Sequence, residues 1–252
     1  MRAALVFLVL AGSTGAALPT KPAHSQTLAE RVADAPGDAV RMTYTAREGV
    51  CGNGSGWIQT DDDRDWQADC EHGPVRLTLS KDGRRIVALR TRVGGSWQPR
   101  PDVTDLGEVP AAEASAFLLD LAATATPKVA EDAIMPAAIA DVPDPWRRLL
   151  DLARQRSLDS DVREQATFWL GQSAAREATA GLAEIVDEDE SVEVQKAAVF
   201  ALSQRDEPER IDTLIGVART HANREVVRAA FFWLADSEDP RAVDFFEEIL
   251  TN

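Results

Sequence analysis

Five apolar residues, Leu118, Leu150, Leu182, Leu214 and Phe246, stand 32 residues apart, one after another along the chain. Three more ladders keep the same spacing: Val162, Val194 and Val226; Ala166, Ala198 and Ala230; Leu170, Leu202 and Leu234. A fixed period in this range, carried by apolar residues, marks a stacked array of small repeated units. Valine, alanine and leucine fall at i, i+4 and i+8, which is one face of a helix. The Leu118 ladder belongs to the first helix of each unit, supported at i+3 by Leu121, Ala153, Ile185, Val217 and Ile249, and the valine, alanine and leucine ladders to the second.

Capping residues repeat in step with the ladders. Asp159, Ser191 and Asn223 lie three positions before the valines, and each is a favoured N-cap. Asp144-Pro145, Glu207-Pro208 and Asp239-Pro240 put a proline where the other helix of each unit should begin, the first helical position being favourable for proline. The units run 112–143, 144–175, 176–207 and 208–239, with a half unit at 240–252. The first is degenerate, with Pro136 where the others have Phe168, Phe200 and Phe232. A terminal repeat is expected to differ because it closes the stack.

Upstream the pattern changes. Met1-Arg2, an apolar run from Ala3 to Ala11 and small residues read as a secretory leader over 1–25, cleaved after Ser25. The apolar run is too short for a span of about 20 residues. Residues 26–110 read as a small β-rich domain with a linker. Strand patterns occupy Ala39–Thr45, Trp57–Thr60, Val75–Ser80 and Arg85–Val93, with a hairpin signal at Asp82-Gly83. Pro99, Pro101 and Pro110 mark the stretch between them as the linker. The expected fold class is α+β: a small disulfide-linked antiparallel β-domain, then an all-α solenoid over 111–252.

The chain carries a net charge of −15. Residues 26–110 hold 14 acids against 11 bases, whereas 111–252 hold 28 against 14, so the acidity sits on the repeats. That argues against nucleic acid, whose phosphates need Lys and Arg, and against anionic membrane surfaces. Cys51 and Cys70 are the two cysteines. In an oxidising compartment such a pair reads as one disulfide. The competing metal site, Cys51, Cys70 and His72, lacks a fourth ligand at useful spacing. No cofactor or metal is implied.

The second-helix segments Asp161-Val-Arg-Glu-Gln-Ala-Thr-Phe-Trp-Leu-Gly-Gln172, Val194–Gln204 and Val226–Asp236 resemble HEAT repeats. The likeness is strongest to the short HEAT-like repeats first noted in phycobilin lyases, and to exported bacterial HEAT-repeat proteins. It covers 144–252 well and 111–143 loosely. The resemblance implies an α-solenoid whose second helices line a concave surface and which most often binds protein; it implies no single activity.

Phe168, Phe200 and Phe232 lie at i+4 from Glu164, Lys196 and Arg228, and at i−4 from Gln172, Gln204 and Asp236. Two readings follow. The phenylalanines, with Gln172, Gln204, Asp236, Lys196 and Arg228 beside them, grip a partner; or they pack between neighbouring units, as aromatic rows at helical spacing commonly do. Burial of all three rings would remove the first reading. The acidic runs Asp61–Asp65 and Asp187–Glu193 read as solvated turns, since neither has the pattern of a calcium loop. His72 and His221 adjoin no nucleophile motif.

These features point to an exported, non-enzymatic binding or scaffolding protein. The partner is an unidentified protein, with a basic patch favoured by the acidic repeats. Two other classes remain: a lyase-like or chromophore-handling enzyme on HEAT-like repeats, and a regulatory module for an envelope protease or sensor.

Overall fold

The computed structural model describes residues 26–60, 70–143, 145–173, 175–206 and 208–251. The leader at 1–25 and the acidic turn Asp61–Asp65 lie outside the described residues. A short helix, α1 (Leu28–Asp34), opens with a capping box in which Thr27 and Glu30 satisfy each other's backbone donors. Six strands follow: β1 (Ala39–Tyr44), β2 (Cys51–Gly52), β3 (Ile58–Gln59), β4 (Val75–Asp82), β5 (Arg85–Val93) and β6 (Thr104–Glu108). They form a four-stranded sheet in the order β5-β4-β1-β6 and a two-stranded ribbon, β2-β3. Pairing is antiparallel throughout except between β1 and β6, which run parallel.

β6 corrects the expectation of a linker between Pro99 and Pro110. All three prolines fall outside the strand, and β6 is an edge, so it needs partners on one side only. Asp105 pairs with Arg41 of β1, and the Thr104 hydroxyl donates to the Pro36 carbonyl at 2.6 Å. The Cys51–Cys70 disulfide forms, with 5.3 Å between the Cα atoms, so neither thiol is free to bind a metal.

One sheet face is apolar. Val40, Met42, Tyr44, Val75, Leu77 and Leu79 are fully buried on it. Strand alternation puts Lys81 on the same face, where its ammonium donates to the carbonyls of Val32, Ala33 and Ala35. A cation thus closes the C-terminal end of α1 and fastens that helix to the sheet.

Helices then alternate: α2 (Ala111–Thr124), α3 (Pro127–Ala138), α4 (Trp146–Arg154), α5 (Ser160–Gly171), α6 (Glu177–Glu188), α7 (Val192–Ser203), α8 (Glu209–Thr220), α9 (Arg224–Asp236) and α10 (Pro240–Thr251). The sheet is joined to this stack at α3. The Tyr44 hydroxyl donates to the Pro136 carbonyl at 2.9 Å, Ser115 to the Ala137 carbonyl at 3.0 Å, and the Arg47 amide to the Ile139 carbonyl at 2.9 Å. Carbonyls at a helix end have no intrahelical donor, so the β region and α2 supply them. Burial pushes the Tyr44 phenol far up, which keeps it a neutral donor. The buried apolar residues form one continuous cluster from Leu28 to Phe245.

The three second-helix ladders, on α5, α7 and α9, are buried at every position. Asp159, Ser191 and Asn223 each cap the following helix through the side chain, as their spacing predicts. The proline positions are less uniform. Pro240 opens α10 at its first helical residue, but Pro145 and Pro208 sit one position earlier, as caps. The first-helix ladder also varies. Leu118, Leu182 and Leu214 are buried, while Leu150 and Phe246 are half-buried beside buried Leu149 and Phe245. Ile249 is 41% exposed, so the i+3 support fails in α10, beyond which no described helix lies to cover it.

Neighbouring units also share buried polar links at equivalent positions. Arg163 forms an ion pair with Asp189, both side chains almost wholly buried, and donates to the Ala153 carbonyl at 3.0 Å. Thirty-two residues on, Gln195 donates to the Val186 carbonyl at 2.9 Å and meets His221 at 3.5 Å.

Candidate functional site: the second-helix face

Helices α3, α5, α7 and α9 pack directly on one another, more closely than the first helices do. These second helices form one layer of the stack and the first helices the other. The close approach of the second helices is visible at Gly171, where a Cβ would fall 2.7 Å from that of Ala201.

Five aromatic rings cross this layer. Phe168 stacks on Phe200 at 6.0 Å and 11°. Phe200 meets Trp233 at 4.9 Å, and Phe232 stands edge-on to Trp233 at the same distance. Trp169 stands edge-on to Phe168 at 5.4 Å. The row therefore passes from Phe200 to Trp233 rather than straight to Phe232. Phe168 and Phe200 are half-buried, and Phe232 is 61% exposed. Both sequence readings describe part of the row: the rings pack between units, and they leave an aromatic strip facing outward.

At the Trp169 end the strip runs into a cleft of about 500 Å³ between the stack and the β region. Ile58, Leu89 and Met135 give it an apolar wall, and Glu131 and Asp132 an acidic rim. Sequence reasoning missed this cleft, because its walls come from β3, β5, α3 and α5, which are far apart in the chain.

Charged groups flank the strip. Glu164 is held above the usual carboxylate range, first by burial and then by Asp161 and Glu193. Lys196 bonds Glu193 at 2.8 Å, and this bond raises its pKa. Arg228 is exposed on α9. Gln172, Gln204 and Asp236 are exposed at the C-terminal ends of α5, α7 and α9. Gln172 lines a smaller cleft of about 170 Å³ with Arg47 and Trp169, and Gln204 bonds Ser203. These three lie at the rim of the strip, whereas Glu164 and Lys196 are set into it.

On the opposite face, ion pairs join one unit to the next: Arg148–Asp120, Arg154–Glu184, Arg176–Glu209, Arg241–Asp212 and Arg219–Glu248. Much of the repeats' arginine is thus committed to acids on that face. Among the described residues no helix is long and apolar enough to cross a membrane.

No curated protein matches the chain. The family model for HEAT repeats matches residues 146–235 and, in an overlapping second match, 179–252. With the ladders, caps and paired helix layers in place over the same residues, the segment 146–252 has the architecture of a HEAT-like α-solenoid.

Proposed function

We propose that this is an exported, non-catalytic binding protein whose concave second-helix face holds an extended segment of a protein partner. The observation that carries the reading is the outward-facing aromatic strip leading into an acid-rimmed cleft. Exposed aromatic surface rimmed by polar groups is characteristic of interaction sites. HEAT-repeat scaffolds commonly serve protein interaction. The acids Glu131, Asp132, Glu164, Glu193 and Glu225 favour a segment in which basic side chains alternate with apolar ones. Export rests on the leader pattern at 1–25 and agrees with the disulfide.

Affinity capture from envelope extract tests this. The intact chain should retain a partner at low salt and release much of it at high salt. A Phe168→Ser/Phe232→Ser variant with native circular dichroism should lose it. Capture that is indifferent both to salt and to these substitutions would reject the reading.

A further inference from the structure

The outer face of the four-stranded sheet differs from the rest of this acidic molecule. Cross-strand register places Arg41, Thr78 and Arg90 in one row, and Thr43, Arg76 and Arg92 in the next. Arg76 and Arg92 are thus directly opposite each other, an arrangement that destabilises a sheet unless an anion offsets it. The Arg76 pKa is lowered by burial and then by Arg92.

The arginines are not equivalent. Arg41 is engaged by Asp105 and by the Gln98 carbonyl, and Arg100 by Asp102. Arg76 is buried and donates to the carbonyls of Gly94, Ser96 and Gly54 at 2.6, 2.6 and 2.8 Å. Its counter-charge, Glu71, accepts from the Gly95 amide. Arg90 and Arg92 have no carboxylate partner among the described residues, although the chain as a whole has 42 acids for 27 bases.

Arg76 does structural work as well. Gly94 and Gly95 take φ of +69° and +67°, and a Cβ on Gly95 would lie 2.9 Å from the Arg76 guanidinium. The turn they make lays Trp97 over the sheet, between the guanidinium groups of Arg41 and Arg76, each 5.0 Å from the ring centre. Between Trp97 and β5 lies a cavity of about 400 Å³, within the size range of small-molecule sites. Arg90 and Arg92 edge it, Thr78 and Ser80 line it, and Ala88 and Val103 give it apolar surface.

We propose that this cavity binds a small organic oxyanion, a carboxylate or phosphate group carried on a flat apolar body. The oxyanion meets Arg90 and Arg92, whose planar forks suit either group, and the hydroxyls of Thr78 and Ser80. The apolar body lies against Trp97. Charge on an exposed edge strand would by itself account for one arginine on β5 as protection against strand pairing. It accounts for neither the clamped tryptophan nor the cavity beneath it.

Titration calorimetry of the intact chain with phenyl phosphate, benzoate, inorganic phosphate and phenol tests the proposal. Phenyl phosphate or benzoate should bind one to one, and whichever is tighter identifies the headgroup. Inorganic phosphate and phenol should each bind at least about tenfold more weakly, since each lacks half of the ligand. R90Q/R92Q should weaken binding at least about tenfold at unchanged melting temperature, and Trp97→Leu should weaken the ring-bearing probes selectively. Failure of both ring-bearing anions to bind, equal binding by R90Q/R92Q, or equal affinity for inorganic phosphate would overturn the proposal. None of these outcomes depends on the concave face.

Discussion

The two ends of the helical stack are finished differently. At the N-terminal end the sheet covers α3, and the tyrosine, serine and backbone donors around it satisfy its last carbonyls. At the other end α10 leaves Val243, Ile249 and Leu250 exposed, Leu250 at 84%. The same 32-residue ladder passes through both ends, yet Leu118 is fully buried and Phe246 only half-buried. The ladder specifies which side of a helix is apolar. Whether that side is buried depends on what lies next to it, so stability should fall off from the sheet-closed end and the middle toward α10.

Substitutions can break or sharpen that contrast. The largest effect is expected at the buried link in the middle. Asp189→Ala leaves the Arg163 guanidinium buried without its partner and should cost about 3–5 kcal/mol in a denaturant titration. The exposed Arg156–Glu190 pair nearby should matter little when Glu190 is replaced by Ala. A loss at Asp189 no larger than at Glu190 would mean the middle units are not locked together as described.

Next come paired leucine truncations. Leu202→Ala, in α7, should cost about 2–5 kcal/mol, against only a few tenths for Leu250→Ala in α10. Equal losses would show that α10 is as well covered as the middle. At the sheet end, Cys51→Ala/Cys70→Ala opens a loop spanning a sequence separation of 19 and should remove about 3 kcal/mol. Hydrogen exchange should report that loss first in β2 and β4. Tyr44→Phe, which deletes the donor to Pro136, should cost about 1–3 kcal/mol by thermal melting. No change would leave the closure of α3 to apolar packing alone.

The smallest effect concerns pH. Burial and neighbouring acids raise Glu164, so the folded state holds its proton more firmly than the unfolded state does. The cost of ionising it is therefore absent below its unfolded value and complete above its folded value. Glu164→Gln should raise the melting temperature slightly at pH 7, and the gain should vanish as pH falls through the carboxylate range. A gain of the same size at pH 7 and at pH 3 would point to packing instead.

Much of the repeat architecture was legible, because its signals are local. An apolar face needs only the right spacing within one helix, and the caps Asp159, Ser191 and Asn223 act within three residues of themselves. The parallel pairing of β6 was not legible. It joins residues 64 apart, such as Arg41 and Asp105, and Thr-Asp-Leu-Gly-Glu shows no strand alternation. Nor does any local pattern mark Lys81, Arg76 and Arg205, which are buried as donors to loop or helix-end carbonyls. The candidate site was legible in part. The 32-residue spacing marks Phe168, Phe200 and Phe232, whereas Trp169 and Trp233 join the row only through ring packing.

By itself, then, the sequence determined the repeat period, the core face and the starts of the second helices, and the β4–β5 hairpin. Each follows from the geometry of one helix or one turn, which a short window contains. Only the tertiary structure decided how the stack is closed, where the aromatic strip opens into a cleft, and which arginines share one face of the sheet. Those outcomes depend on cross-strand register and on chain segments returning from far away, and no local periodicity encodes such distances.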